Sequence, residues 1–158
     1  MLWSIDQKCF APGIAYSRRE LAAYIRRRGS FTIVAEAVAP PGKATDASGG
    51  PLTIAAGFIV AATNRHGVGH IMTIDVLPES QRAGLGSRLL AAAEDRLRAV
   101  PCHTVMLETA VDNAAALAFY KRHQYSVVKV VPRYYGNGVD AIVLEKYLSA
   151  PVPAGFPK

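Results

Sequence analysis

The sequence predicts an α/β fold: a mixed sheet with helices packed on its faces. Three observations carry that expectation. A chain of 158 residues is the size of one domain and can bury a sizeable core. Runs rich in β-branched residues alternate with stretches whose apolar residues recur at helical spacing. Midway, the run His70–Val76 leads through a turn holding Gly84 and Gly86 into an amphipathic stretch, opening a strand–helix–strand–helix unit.

In chain order, Ser17 is a good helix N-cap, with Glu20 as its capping-box partner. Leu21, Tyr24 and Ile25 form the apolar stripe of that helix, and Gly29 is the expected stop. Phe31–Ala35 and Leu52–Ala62 read as strands. The Pro/Gly/Ser-rich segment from Pro40 to Pro51 between them reads as an overlong hairpin loop, exposed and mobile. His70–Val76 is the third strand, and the helix after it sets Leu89, Leu90, Ala93, Leu97 and Val100 on one face before Pro101 ends it. His103–Glu108 is a strand, and a helix capped by Asp112 or Asn113 runs through Tyr120. Tyr125–Val131 and Asp140–Tyr147 are strands flanking a loop over residues 133–138. The expected order is helix, three strands, helix, strand, helix, two strands. Residues 1–148 form the expected single domain, and 149–158, with three prolines, a flexible tail.

Composition narrows the function. Apolar and charged fractions of 51% and 19% are ordinary for a globular protein, which argues against disorder. No run of about 18 apolar residues is present, so no membrane-spanning helix is expected. Asp6 and Lys8 interrupt the N-terminal apolar residues, so no signal peptide is expected either. Cys9 and Cys102 stand far apart without a CxxC or a His partner, and His66, His70, His103 and His123 show no metal spacing with them. Free thiols in a reducing cytoplasm, no metal, and structural or exposed histidines are the expectation. The net charge of +6 fits a polyanionic partner. The Arg26-Arg27-Arg28 cluster reads as the solvated end of a helix, where cations complement the dipole. An RNA contact is the alternative.

The segment Val76-Leu77-Pro78-Glu79-Ser80-Gln81-Arg82-Ala83-Gly84-Leu85-Gly86-Ser87-Arg88-Leu89-Leu90 is the most telling. Glycines let the backbone turn tightly and bare its N–H groups, and the helix that follows adds its unpaired N–H groups and positive dipole end. Such a site takes a phosphorylated ligand. A P-loop needs Gly-Lys-Ser/Thr, whereas Gly86 is followed by Ser87 and Arg88; a dinucleotide loop needs a third glycine where Leu89 stands. Further along, Glu108 closes a strand, and Asn113 and Tyr120 lie seven positions apart on one face of the next helix. A Glu, an Asn and a Tyr converging there suit thioester aminolysis, which takes a proton from an amine and returns one to a thiolate.

These motifs resemble the GNAT acetyltransferases, and among them the protein N-terminal acetyltransferases of the bacterial ribosomal-protein alanine N-acetyltransferase type. The resemblance runs from Ile5-Asp6 to Tyr147. It implies a mixed, mostly antiparallel twisted sheet with helices on both faces, and acetyl-CoA as co-substrate. It implies that the backbone of Ile74, Asp75 and Val76 holds the pantetheine arm. Arg82, Ala83, Gly84, Leu85, Gly86 and Ser87 would hold the pyrophosphate, and Asn113 would contact CoA. Tyr120 would be the general acid beside the cofactor and Glu108 the general base. Tyr134 and Tyr135, before an Asp140-Ala141 strand, resemble the substrate-facing hairpin, and Phe10–Ser17, with Tyr16, the opposing peptide-binding loop. Two departures stand out. Family members carry a strand before the helix that holds Asp6, so this sheet lacks that edge strand or the chain is truncated. Gln124-Tyr125 stands where many members have Gly-Phe, which bears on how the second helix ends.

The expected activity is acetyl transfer from acetyl-CoA to the α-amino group of a protein or peptide N-terminus. An α-amine titrates near ~7.8 against ~10.4 for lysine, so deprotonating it at neutral pH costs roughly 3.5 kcal/mol less. Alternatives are a small-molecule amine acceptor, a non-catalytic acyl-CoA-binding regulator, and an RNA-binding module. Asp75 is an alternative base, although strand alternation points it with Thr73 and Leu77, away from Ile74 and Val76. The sequence leaves monomer or homodimer open.

Overall fold

Strand β2 (Thr53–Thr63) carries the longest buried run among the described residues, with residues 56–62 all buried. A strand apolar on both faces must be covered on both. The computed structural model describes residues 1–39, 42 and 45–148, and in it β2 lies inside a six-stranded sheet. The strands are β1 (Ser30–Val38), β2, β3 (Val68–Val76), β4 (Thr104–Ala110), β5 (Ser126–Val131) and β6 (Ala141–Tyr147), in the order β1-β2-β3-β4-β6-β5. Every pair is antiparallel except β3–β4.

Helices cover both faces. On one, α1 (Leu2–Cys9) and α2 (Arg18–Arg26) lay Ile5 and Leu21 against Phe58 and Val60. On the other, α3 (Leu85–Arg98) and α4 (Ala114–Arg122) lay Leu89, Leu90, Leu97 and Tyr120 against Ile59, Ile71 and Leu107. Burying one such side chain removes enough apolar surface to contribute about 1.5–3 kcal/mol.

Local signals hold at the helix starts. The Ser17 hydroxyl accepts the Glu20 N–H at 3.2 Å, and the Glu20 carboxylate accepts the Ser17 N–H at 2.8 Å. Asn113 caps α4 through its Oδ1, which accepts the Ala116 N–H at 3.0 Å. Several expectations are corrected. The predicted order omitted α1, whose short polar-apolar mix gives little periodicity. α2 ends at Arg26, before Gly29. That glycine instead turns the chain into β1 at φ +80, where a Cβ would sit 2.8 Å from the Thr63 carbonyl oxygen. α3 ends at Arg98, so Val100 lies past the helix and is 44% exposed instead of joining the buried stripe. Gln124 takes up φ +69 after α4, the left-handed turn that glycine would supply without steric cost.

Within the segment between β1 and β2, the Asp46 carboxylate accepts N–H groups from Ser48 and Gly50, and Thr45 bridges Pro51. Pro40, Pro41, Lys43 and Ala44 of that expected loop, and the expected tail 149–158, lie outside the described residues.

The β2–β3 register slips between Val60 and Ala61, which face Thr73 and Ile71, leaving Met72 as an extra residue. Such a bulge bends its strand and flips the alternation. Ile71 packs under α3 and its neighbour Met72 toward α1 and α2, and the flip brings Ile74, three residues after Ile71, back to the α3 face. Beyond the bulge Ile74 and Val76 face α3, and Asp75 is fully buried. Gly57 pairs with Val76 at the end of this ladder. A Cβ there would lie 2.5 Å from the Asp75 carbonyl oxygen, a backbone atom that cannot step aside. Gly57→Ala is therefore expected to lose about 1–3 kcal/mol, the usual cost of overpacking. Urea unfolding monitored by circular dichroism measures it, and an unchanged midpoint would show that β2 and β3 can separate there freely.

Candidate active site

β3 and β4 are paired over three rungs only, Val68–Thr104, Gly69–Val105 and His70–Met106. β4 stays with β6 as far as Ala110, and β3 stays with β2 as far as Val76. The inner edges of the two strands therefore diverge past His70, and a cleft of about 1030 Å³ opens between them. Ile74 and Val76 stand on one wall and Glu108 and Thr109 on the other. Backbone groups on those edges have no partner across the gap.

The glycine turn closes one end. Gln81 Nε2 donates to the Val76 carbonyl at 2.9 Å, and Cys9 Sγ donates to the same oxygen at 3.3 Å. Arg82 and Gly84 then take left-handed φ values of 63 and 77, which aim the turn into the first residues of α3. Arg82, Gly84, Leu85, Gly86 and Ser87 line the cleft, whereas Ala83 does not. Nothing stands within 4 Å of a Cβ built on Gly84, so its requirement is the dihedral angle; a Cβ on Gly86 would touch the Phe119 ring at an ordinary 3.5 Å. Ser87 Oγ lies 2.9 Å from His123 Nε2, a bond that ties α3 to the end of α4. Burial of the His123 ring, which stacks on Phe119, holds its pKa below the usual histidine value.

Asp75 points away from the cleft, as strand alternation indicated. Its Oδ1 accepts from Thr73 Oγ1, and its Oδ2 has no partner. Burial pushes its pKa up to about 7. Asp6, also fully buried, accepts the Tyr16 N–H and the Gln7 amide on one oxygen and leaves the other unpartnered.

Glu108, Asn113 and Tyr120 all line the cleft. Tyr120 is 6% exposed, and burial, reinforced by the Asp75 carboxylate, holds its hydroxyl protonated well above the ordinary tyrosine value. The hydroxyl tied into the core belongs to Tyr125, which donates to Glu94 Oε1 at 2.9 Å. Lys146 also donates to Glu94, at 2.9 Å. Glu108 has a partner that sequence reasoning missed: its Oε2 lies 2.6 Å from His70 Nε2. The two residues are 38 positions apart, and no spacing rule links them.

At the other end, the two loops singled out in the sequence meet. The Gly136 N–H donates to the Gly13 carbonyl at 3.1 Å. Gly13 has φ +87, and a Cβ there would fall 2.9 Å from the Asn137 Cβ, so this contact requires glycine. Tyr16 donates its hydroxyl to the Met72 carbonyl at the bulge, 3.1 Å away. Tyr134 and Tyr135 pack edge to face, 5.0 Å between centroids, and with Tyr16 they line the cleft mouth.

A sequence model of the acetyltransferase (GNAT) family matches residues 2–125. An uncharacterised N-acetyltransferase of Methanocaldococcus jannaschii is 35% identical over 91 residues, which cover 57% of this chain and 58% of that protein. An N-alpha-acetyltransferase of Sulfurisphaera tokodaii is 36% identical over 77 residues, covering 48% of this chain and 46% of that protein. The chain thus spans about half the length of the curated relatives it matches. Among solved structures, the ribosomal-protein-S18-alanine N-acetyltransferase of Escherichia coli superposes with a TM-score of 0.73 at 24% identity, covering 98% of this chain and 90% of that one. That likeness shows the fold.

The buried Asp75 gives a pH signature. Its folded pKa stands above the unfolded one, so the folded state holds the proton more tightly. The stability this contributes is full below about pH 4 and is lost as pH rises toward 7. Asp6 is shifted in the same direction. Asp75→Asn is expected to flatten that loss, so the Tm difference between variant and wild type should grow in the variant's favour from pH 5 to pH 7.5. Equal differences at both pH values in calorimetry would show that Asp75 ionises freely.

Proposed function

We propose that this chain, which belongs to the acetyltransferase (GNAT) family, transfers an acetyl group to the α-amino group of a protein or peptide N-terminus. The observation that carries the reading is one cleft with Glu108 and Tyr120 facing it and a tyrosine-lined mouth where the two loops meet. Acetyl-CoA supplies the activated acetyl thioester. The unpaired edge of β3 at Ile74–Val76 offers backbone donors and acceptors to an extended pantetheine arm, with the Asp75 side chain turned away behind it. The N–H groups from Arg82 to Ser87, at the start of α3, suit a pyrophosphate, and the open space at Gly84 lets it approach the backbone. With Oδ1 occupied as a helix cap, Asn113 has its amide N–H groups to offer to the cofactor.

Glu108 is the base of this scheme and accepts the proton of the incoming ammonium, directly or through a water. The Tyr120 hydroxyl, kept protonated by burial, gives its proton to the departing thiolate. Tyr16, Tyr134 and Tyr135 present rigid, amphipathic rings to the first residues of the acceptor. The free thiols of Cys9 and Cys102 support a cytoplasmic setting. Among the described residues no helix is long and apolar enough to cross a membrane.

Three measurements test the scheme. Tyr120→Phe is expected to lower kcat by ~10²–10⁴-fold with the acetyl-CoA Kd unchanged, because only the transferred proton is lost; near wild-type turnover would take Tyr120 out of the chemistry. For the acceptor, short peptides with a free α-amine should be acetylated, and N-terminally blocked peptides with an internal lysine should not. Tyr135→Ala should raise the peptide KM far more than the acetyl-CoA KM. Efficient acetylation of lysine side chains or small amines, with α-amines ignored, would overturn the choice of acceptor and leave the family intact.

A further inference from the structure

His70 takes no part in the scheme above, yet it makes a short bond to Glu108, the base of that scheme. It sits on the last rung that joins β3 to β4, where the strands begin to part. Its Nε2 lies 2.6 Å from Glu108 Oε2, at the short end of charge-assisted hydrogen bonds. The side chains of His70 and Glu108 are 35% and 20% exposed. Glu108 lines the cleft and His70 does not. One carboxylate oxygen is thus pinned from behind, and the other is left to whatever enters the cleft.

We propose that His70 is a positioning residue for Glu108: its Nε2–H holds Oε2 and so fixes the carboxylate, in its charged form, with Oε1 turned toward the acceptor amine. This rests on the reading of Glu108 as the proton acceptor. A carboxylate at the end of a flexible side chain loses activity when it can rotate, and a hydrogen bond to one oxygen fixes where the other points. The other ionisable groups that reach Glu108 are the phenols of Tyr16 on the α1–α2 loop and of Tyr134 and Tyr135 on the β5–β6 loop. Burial holds all three above the ordinary tyrosine value, so they stay neutral near pH 7. Asp112 acts on Tyr135. The partners of His70 across the sheet, Ala62 and Met106, carry no charge.

The test compares His70→Phe, His70→Gln and Glu108→Gln in steady-state kinetics from pH 5.5 to 9 with one free-amine peptide. His70→Phe should lower kcat on the order of tenfold to a hundredfold, the usual loss when a group that orients a working side chain is removed. The KM for acetyl-CoA should hold. His70→Gln keeps an N–H donor and should recover most of the kcat. Wild-type kcat in His70→Phe would overturn the proposal, as would a glutamine variant no better than the phenylalanine one. Should the phenylalanine variant fail to fold, His70→Ala takes its place with the same expected losses. Full activity in Glu108→Gln would instead remove Glu108 as the base, a failure of the underlying reading distinct from a failure of the pair.

Discussion

The parting of β3 from β4 after three rungs is the constraint on which the site depends. A sheet strand normally satisfies its backbone groups on both edges, and leaving an edge open inside a protein costs unless something else pairs with it. Here the open edges face a cleft of about 1030 Å³. The Met72 bulge lies just past the last rung, on the β2 side of β3, and bends β3 where the gap begins. Tyr16 fixes that bend from outside by bonding the Met72 carbonyl. The α1–α2 loop and β3 are therefore joined at the bulge residue.

Beneath the cleft floor the chain carries two fully buried aspartates, each with one carboxylate oxygen unpartnered. Burying a carboxylate without full compensation favours its neutral form, which accounts for the upward direction of both shifts. The partners they do have are informative: Asp6 holds the Tyr16 N–H, and Asp75 holds Thr73 beside the bulge. Both buried acids thus brace the same corner, where α1, the first loop and β3 come together. On the opposite face Glu94 takes Tyr125 and Lys146 as well as Arg98. That fully partnered network secures β6 to α3 and leaves Tyr120, whose ring packs on Tyr125, facing the cleft.

Several features were legible in the sequence because they are set over a few neighbouring residues. The capping box at Ser17 and Glu20, the Asn113 cap, the buried stripe Leu89–Leu90–Ala93–Leu97 and the left-handed Gly84 are local matters of dihedral preference, short hydrogen bonds and periodicity. Asn113 and Tyr120 share a face because a helix repeats, and that too follows from spacing alone. The errors were local as well. Val100 fits the helical period of α3 but lies beyond its last turn, and α1 is too short and mixed to declare itself. Gln124 adopts a backbone angle that its residue type disfavours, so nothing in the residue itself announces it.

Long-range pairing decided the rest. A bulge is a property of two strands in register, so Met72 could not be identified as the extra residue before β2 was laid beside β3. The bond between Gly136 and Gly13 joins loops more than a hundred residues apart, and the glycine there is required by Asn137, a neighbour visible only in the fold. His70 read as a structural or exposed histidine until the parallel pairing set it on the last rung before the gap, beside Glu108. By itself the sequence determined most of the segments that coil, extend and turn, α1 excepted, and which residues could bind phosphate or move a proton, because those depend on side-chain chemistry and short-range geometry. Only the tertiary structure decided where the strands part and which carboxylate meets which donor, because a chain brings distant groups together through the packing of whole elements.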